Sequence, residues 1–246
     1  TYTTFIQVSE PVADLLHEKF GYYSSQFGVE SIVDLKEWDI KGKKKQVLRT
    51  SINKALKDGI RFVEMETDTD DEALTREWMS TRAVSKKEVL FLIRSKEQEY
   101  QEGTRKFYAF MGEELLGYIH FDPVYDNGKV MGYVPNISRF SPKFKQGIFY
   151  PLMVHAMETF KKEGVPFLYL GISPATVADD DKPCESKVFK FFVRLLYNYG
   201  NWFYSFKGLH FTKSRFQGSE VKTFCSHREL LPTRAFVTVF KMCNII

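Results

Sequence analysis

The chain has 246 residues, 43% of them hydrophobic and 27% charged, which suits a globular protein with a sizeable core, as one large domain or two small ones, and tells against disorder over most of its length. The net charge of +4 excludes no partner by itself, but it is unevenly placed: Lys36 to Arg61 holds nine Lys and Arg against three acids, and Lys187 to Lys222 holds seven against one. Two such segments meeting in space would attract a polyanion or an anionic membrane surface, whereas each taken singly reads equally well as a solvated face.

Three cysteines, Cys184, Cys225 and Cys243, are odd in number and lack metal-ligand spacing. They point to a reducing compartment and no disulfide framework. No stretch approaches the roughly 20 apolar residues of a spanning helix, and no basic-then-apolar secretory signal opens the chain. The expectation is a cytoplasmic protein, peripheral at most to the inner face of a membrane, with no metal.

In chain order, Pro11 to Phe20 reads as a helix and the following GYYSSQFG as a loop or edge strand. Val47 to Asp58 is a helix stopped by Gly59, with Val47, Leu48, Ile52, Ala55 and Leu56 on one side and the ridge of Arg49, Asn53 and Lys57 opposite. Ile60 to Met65 is strand-like, and Asp68 to Glu72 opens a second helical region marked by Trp78, Met79 and Val84. Phe107 to Met111 and Glu114 to Phe121 form a hairpin, Asp126-Asn127-Gly128 a turn, and Lys129 to Val134 the next strand.

A basic loop, Pro135 to Gly147, then leads into an amphipathic helix ending at Gly164 and a short strand from Phe167 to Leu170. This order predicts an α+β sheet with crossover helices. Ser186 to Tyr199 is the strongest helix, with Val188, Phe191, Phe192, Leu195, Leu196 and Tyr199 at helical spacing. Such a stripe ordinarily packs on a core; being flanked by Lys187, Lys190 and Arg194, it also suits a membrane interface. Ala235 to Met242 reads as a final strand.

Walker A, G-x-G-x-x-G, G-x-S-x-G and H-E-x-x-H patterns are all absent, so nucleotide-hydrolysing, dinucleotide-dependent and zinc-protease readings lose their usual support. His155 inside a helix reads as structural. His120 and Asp122, two apart on a strand, share a face and form a candidate acid/base pair. The loop before the second crossover helix resembles the phosphate-cradling turn of GNAT-type acyltransferases. Gln146 and Gly147 match that turn, but Phe149 stands where a second glycine belongs, which weighs against coenzyme A as donor.

From about residue 21 to 228 the chain resembles the C-terminal catalytic domain of phosphatidylglycerol lysyltransferases and their soluble relatives. The resemblance rests on VLRTSINKALKDGIRFVEM, TREWMSTRAVSKKEVLF, FYAFMGEELLGYIHF, PNISRF, GIFYPLMVHAMETFKKEGVPFLYLGISP and NWFYSFKGLHFTKSRF. The last two are the most specific: a Leu-Gly-x-x-Pro strand end is followed by Phe-x-Gly-Leu-x-x-x-Lys-x-x-Phe. The resemblance implies two tandem GNAT-like halves, residues 1–105 and 106–246, with mixed sheets flanked by helices. It also implies transfer of an aminoacyl group from aminoacyl-tRNA, as co-substrate and without a further cofactor, to a hydroxyl or amine acceptor such as phosphatidylglycerol.

The resemblance carries roles to particular positions. Arg139 corresponds to the Arg of the family's Asp-Leu-x-Arg stretch, whose acid aligns with Asn136, a residue that cannot act as a general base. Lys207, Lys213 and Arg215 lie in the basic Phe-Lys motif, Arg49, Lys54 and Lys57 in the early basic helix, and Ser173 at the strand end. Aminoacyl-tRNA, an anionic phospholipid or membrane surface, and a separate membrane protein are the implied partners. Two rival readings remain: an acyl-coenzyme A N-acyltransferase in which Gln146 and Gly147 hold a pyrophosphate, and a non-catalytic module binding anionic lipid or RNA.

Overall fold

The computed structural model describes residues 3–66, 71–81, 102–144, 147–177, 184–200 and 205–242. In chain order these form β1 (Phe5–Val8), α1 (Glu10–Phe20), β2 (Tyr23–Asp34), a short 3-10 turn (Lys43–Lys45), α2 (Gln46–Lys57), β3 (Ile60–Glu64), α3 (Glu72–Ser80), β4 (Arg105–Met111), β5 (Glu114–Asp126) and β6 (Lys129–Phe140). Then follow α4 (Phe149–Lys162), β7 (Phe167–Pro174), α5 (Lys187–Tyr199), α6 (Phe206–Ser214), β8 (Ser219–His227) and α7 (Thr233–Met242). Val84, Lys145 and Gln146 lie outside the described residues. The chain gathers into two compact units, one of Thr1–Ile32, Leu170–Ser214 and Gly218–Ile246, the other of Val33–Tyr169 and Arg215–Gln217.

The second unit is an antiparallel run, β3 to β6, continued by β7 parallel to β6, with Gly132 opposite Phe167. A parallel neighbour needs a crossover, and α4 supplies it. Gly164, at φ 80°, ends that helix, and Gly132 lets the two strands close up: a Cβ there would lie 2.4 Å from the Phe167 carbonyl oxygen. Behind the strands Phe107, Phe121 and Phe160 meet edge to face at 5.3–5.5 Å, and Tyr133 stacks on Phe160 at 4.4 Å. Each such pair contributes about 0.5–1.5 kcal/mol beyond the area it buries. Arg105 lies over Phe160 and bonds to both Glu64 and Glu163, tying β4 to β3 and to the end of α4.

In the first unit β8 pairs antiparallel with β1 on one side and β2 on the other, and the Ala175 N–H after β7 donates to the Phe27 carbonyl at 2.7 Å. Its core gathers Ala175, Phe189, Val193, Phe206 and Cys225, with Phe27 and Phe236 against them. Glu185 and Lys190 form a buried ion pair at 3.1 Å, and Glu185 also accepts from the Gln26 N–H at 3.0 Å. Ser186 caps α5 by accepting from the Phe189 N–H at 3.2 Å.

Four expectations are corrected. The stretch after Gly21 is not an edge or loop but the start of a 12-residue interior strand, with Ser24, Ser25 and Gln26 buried; its polar residues conceal it because they bond to neighbours distant in sequence. Residues 135–140 are strand, so Arg139 belongs to β6 and not to a loop. Residues 235–242 belong to α7: the β-branched Val237, Thr238 and Val239 suggest a strand, but Phe236 and Phe240, four apart, face each other at 6.2 Å as on a helix. In α5 the buried residues are Phe189, Lys190 and Val193, while most of the expected packing stripe faces outward.

Candidate active site

The second unit concentrates buried polar groups along β5 and β6 beneath α3. Between the pairs His120–Ile137 and Phe121–Pro135 the register slips, so Asn136 is an extra residue on β6. A bulge of this kind re-aims a side chain, and here the Asn136 amide donates to Asp122 Oδ2 at 2.5 Å. Thr104 donates to Asp122 Oδ1 at 3.2 Å, so a carboxylate 5% exposed is held on both oxygens. His120, also buried, places Nε2 3.4 Å from the Tyr108 hydroxyl and packs against the Tyr118 ring at 4.9 Å.

Arg139 sits opposite Tyr118 in the strand register and is 3% exposed. Its guanidinium lies 4.1 Å from the centre of the Trp78 ring on α3, and one of its terminal nitrogens donates to the Ser138 carbonyl at 3.0 Å. A planar cation stacked on an indole is fixed in orientation, as an anion-orienting group requires. The Tyr118 hydroxyl meets Thr75 Oγ1 at 3.2 Å. Burial, assisted by Asp71, pushes its pKa well above the usual phenol range, so it stays protonated. This unit therefore carries Asp122, Asn136, His120 and Arg139 on the paired strands β5 and β6, with Asn136 bonded to Asp122 and Arg139 opposite Tyr118. Tyr118 and Trp78 border these residues; the sequence marked Trp78 only as an apolar residue of its helix and did not single out Tyr118.

The other candidates have separate settings. Arg49 donates to the carbonyls of Ile40 and Gly42 at 2.8 and 2.7 Å, clamping the segment before α2, while Lys54 and Lys57 are exposed on that helix. Gly147, at φ 111°, turns its N–H to the Phe144 carbonyl at 3.4 Å. The first turn of α4 contains Pro151, which has no N–H to offer an anion. Arg215 is half-buried just after α6.

In the first unit Lys213 donates to the Ile172 carbonyl at 2.6 Å, beside Gly171. Burial lowers the pKa of this amine to about 8, against the attraction of Glu30, whose own pKa burial raises. Ser173 is fully buried one residue further along β7, and its hydroxyl has no hydrogen-bond partner among the described residues. Lys207 places its amine 5.5 Å from the Tyr197 ring, beside an open hollow also lined by His210 and Phe211. His155 packs on Phe62 and Phe107, and burial lowers its pKa, as suits a structural histidine.

A family described as phosphatidylglycerol lysyltransferase, C-terminal, matches residues 1–227. The chain belongs to that family. A Bacillus subtilis phosphatidylglycerol lysyltransferase is 24% identical over 250 residues, covering 98% of this chain and 28% of its own length. An uncharacterized Corynebacterium glutamicum protein is 25% identical over 227 residues, 86% of this chain and 27% of its own. The chain thus spans little more than a quarter of these curated relatives.

Among solved structures, L-PGS from Bacillus licheniformis superposes with a TM-score of 0.74 at 21% identity, covering 98% of this chain and 72% of that one. The C-terminal domain of a putative lysylphosphatidylglycerol synthetase from Agrobacterium fabrum gives 0.73 at 20%, covering 96% and 72%. These likenesses establish the fold: an α+β chain of the phosphatidylglycerol lysyltransferase C-terminal type. Among the described residues no helix is long and apolar enough to cross a membrane.

Proposed function

We propose that this domain moves an aminoacyl group from aminoacyl-tRNA to a hydroxyl of phosphatidylglycerol or a related anionic lipid, with no cofactor beyond the charged tRNA. The observation that carries the reading is Arg139, a buried cation fixed on Trp78 in the same β5–β6 region that holds the Asp122–Asn136 pair. An aminoacyl ester is already activated, so no protein nucleophile is needed. The acceptor oxygen attacks the ester carbonyl, the bond to the tRNA ribose oxygen breaks, and the acceptor's proton ends on that ribose oxygen.

What the protein supplies is orientation and charge stabilisation. Arg139 holds the lipid phosphate or the oxyanion that develops at the carbonyl. Asp122, whose oxygens are fixed by Asn136 and Thr104, takes and returns the proton; the family's acid is thus replaced by an amide that orients a carboxylate on the neighbouring strand. Lys213 and Arg215 bind tRNA phosphate. The reading is tested by incubating the protein with a pool of labelled aminoacyl-tRNAs and phosphatidylglycerol and separating the lipids. Labelled lipid supports it. Saturable coenzyme A binding without tRNA binding would move the chain to the acyl-coenzyme A reading.

A further inference from the structure

The apolar stripe of α5 lies on its outer side. Val188, Phe191, Phe192, Leu195 and Tyr199 fall at i, i+3, i+4, i+7 and i+11, one side of a helix, and are 47, 69, 37, 42 and 73% exposed. The helix is held to its unit by the other side, through Phe189, Val193 and the buried Lys190–Glu185 pair. It therefore carries two apolar faces, of which only one has a protein partner among the described residues. Lys187 and Arg194 border the outer face, and α5 contains no acid at all. Helix α6 also exposes an aromatic side chain, Phe211 at 55%, and contains no acid.

We propose that this face of α5 docks on the headgroup region of an anionic bilayer, with the helix lying in the plane of the interface. The aromatic and leucine side chains enter the boundary between headgroups and acyl chains, while Lys187 and Arg194 meet lipid phosphates. Charge selects this occupant. In a two-fold contact between two copies of the helix, the basic border would meet itself, whereas an anionic surface neutralises it. Docking does not depend on acyl transfer; only the choice of phosphatidylglycerol as the anionic lipid rests on the acceptor proposed above.

The test is co-sedimentation of the intact chain with vesicles of phosphatidylcholine alone, or of phosphatidylcholine mixed with phosphatidylglycerol, at low and high salt. The protein is expected to bind the mixed vesicles, less so at high salt. Phe191→Asp/Leu195→Asp is expected to weaken that binding at least about tenfold. Lys187→Gln/Arg194→Gln should weaken it at low salt by about fivefold per cation. Thermal melts matching the parent separate lost docking from lost folding, and Phe191→Asp alone, at the 69%-exposed position, repeats the apolar test where folding is least at stake.

Equal binding to neutral and mixed vesicles, or unchanged binding by the apolar double variant, overturns the proposal. So does a parent dimer that the apolar variant dissociates without any change in vesicle binding. If docking fails while transfer to detergent-dispersed lipid persists, this inference falls alone. If docking holds while no transfer is found, the proposed reaction falls alone.

Discussion

Replacing Asn136 by aspartate would set a second carboxylate 2.5 Å from Asp122, in a place where the amide now donates. Two carboxylates so close cannot both ionise cheaply, so the folded pair would hold a proton above the usual carboxylate range. Asn136→Asp is therefore expected to cost about 1–3 kcal/mol at neutral pH. The cost should shrink as pH falls through the raised pKa of the pair, because the folded state then keeps the proton it favours. Urea melts of parent and variant across pH 4 to 8 check this; a gap independent of pH would mean that the pair is not coupled.

Lys213 gives the opposite linkage. Its amine ordinarily titrates near 10.5, but in the folded chain at about 8. Between those values the unfolded chain binds a proton that the folded chain has shed, so this lysine makes the protein more stable as pH rises from about 8 to 10.5. Lys213→Met should remove that rise between about 8 and 10.5, as thermal melts over this range would show.

At the scale of elements, the parallel β6–β7 pair places the strand that carries Asn136 and Arg139. Gly132 lies opposite Phe167, and a Cβ there would meet backbone, which cannot swing aside. Gly132→Ala is expected to destabilise the protein by roughly 2–3 kcal/mol, the range of severe overpacking. Gly128→Ala is the contrast: its backbone is at positive φ, at 75°, which Gly132 is not, but nothing lies within 4 Å of the added atom. Denaturant melts of the two variants separate the steric cost from the conformational one.

Helices with caps and glycine stops were legible in the sequence: α1, α2, α4 and α5 begin and end within a residue or two of their periodic patterns. Among the strands that escaped, β2 and β8 are polar. They carry Ser24, Ser25, Ser226 and His227 inward, satisfied by bonds that cross about 200 residues of sequence and leave no local trace. Arg139 and Asn136 were legible as candidates through the family motif, but not their setting. A buried arginine on a strand looks like a loop cation until the Trp78 ring beneath it is known.

Across the whole molecule, packing does not follow chain order, since the segment before Val33 joins the one after Tyr169. Hydrophobic periodicity cannot reveal such an exchange, because each element buries an apolar face whichever neighbour it meets. The basic segments also divide in the structure: Arg49 bonds to backbone carbonyls and Lys190 to Glu185, while Lys187 and Arg194 border an outward apolar face. Net charge by segment overstated what is offered to a polyanion and understated how it is arranged.

In the proposed function, Arg139 orients an anionic group for aminoacyl transfer to lipid. The decisive measurement is labelled aminoacyl-tRNA with phosphatidylglycerol, run with the parent, Arg139→Ala and Arg139→Lys, all checked for folding by thermal melt. The parent should form labelled lipid. Arg139→Ala should lose about 10²–10³ of the rate, and Arg139→Lys should recover little, because an ammonium cannot present a planar fork from the Trp78 ring. Product formation by folded Arg139→Ala at the parent's rate would contradict the account.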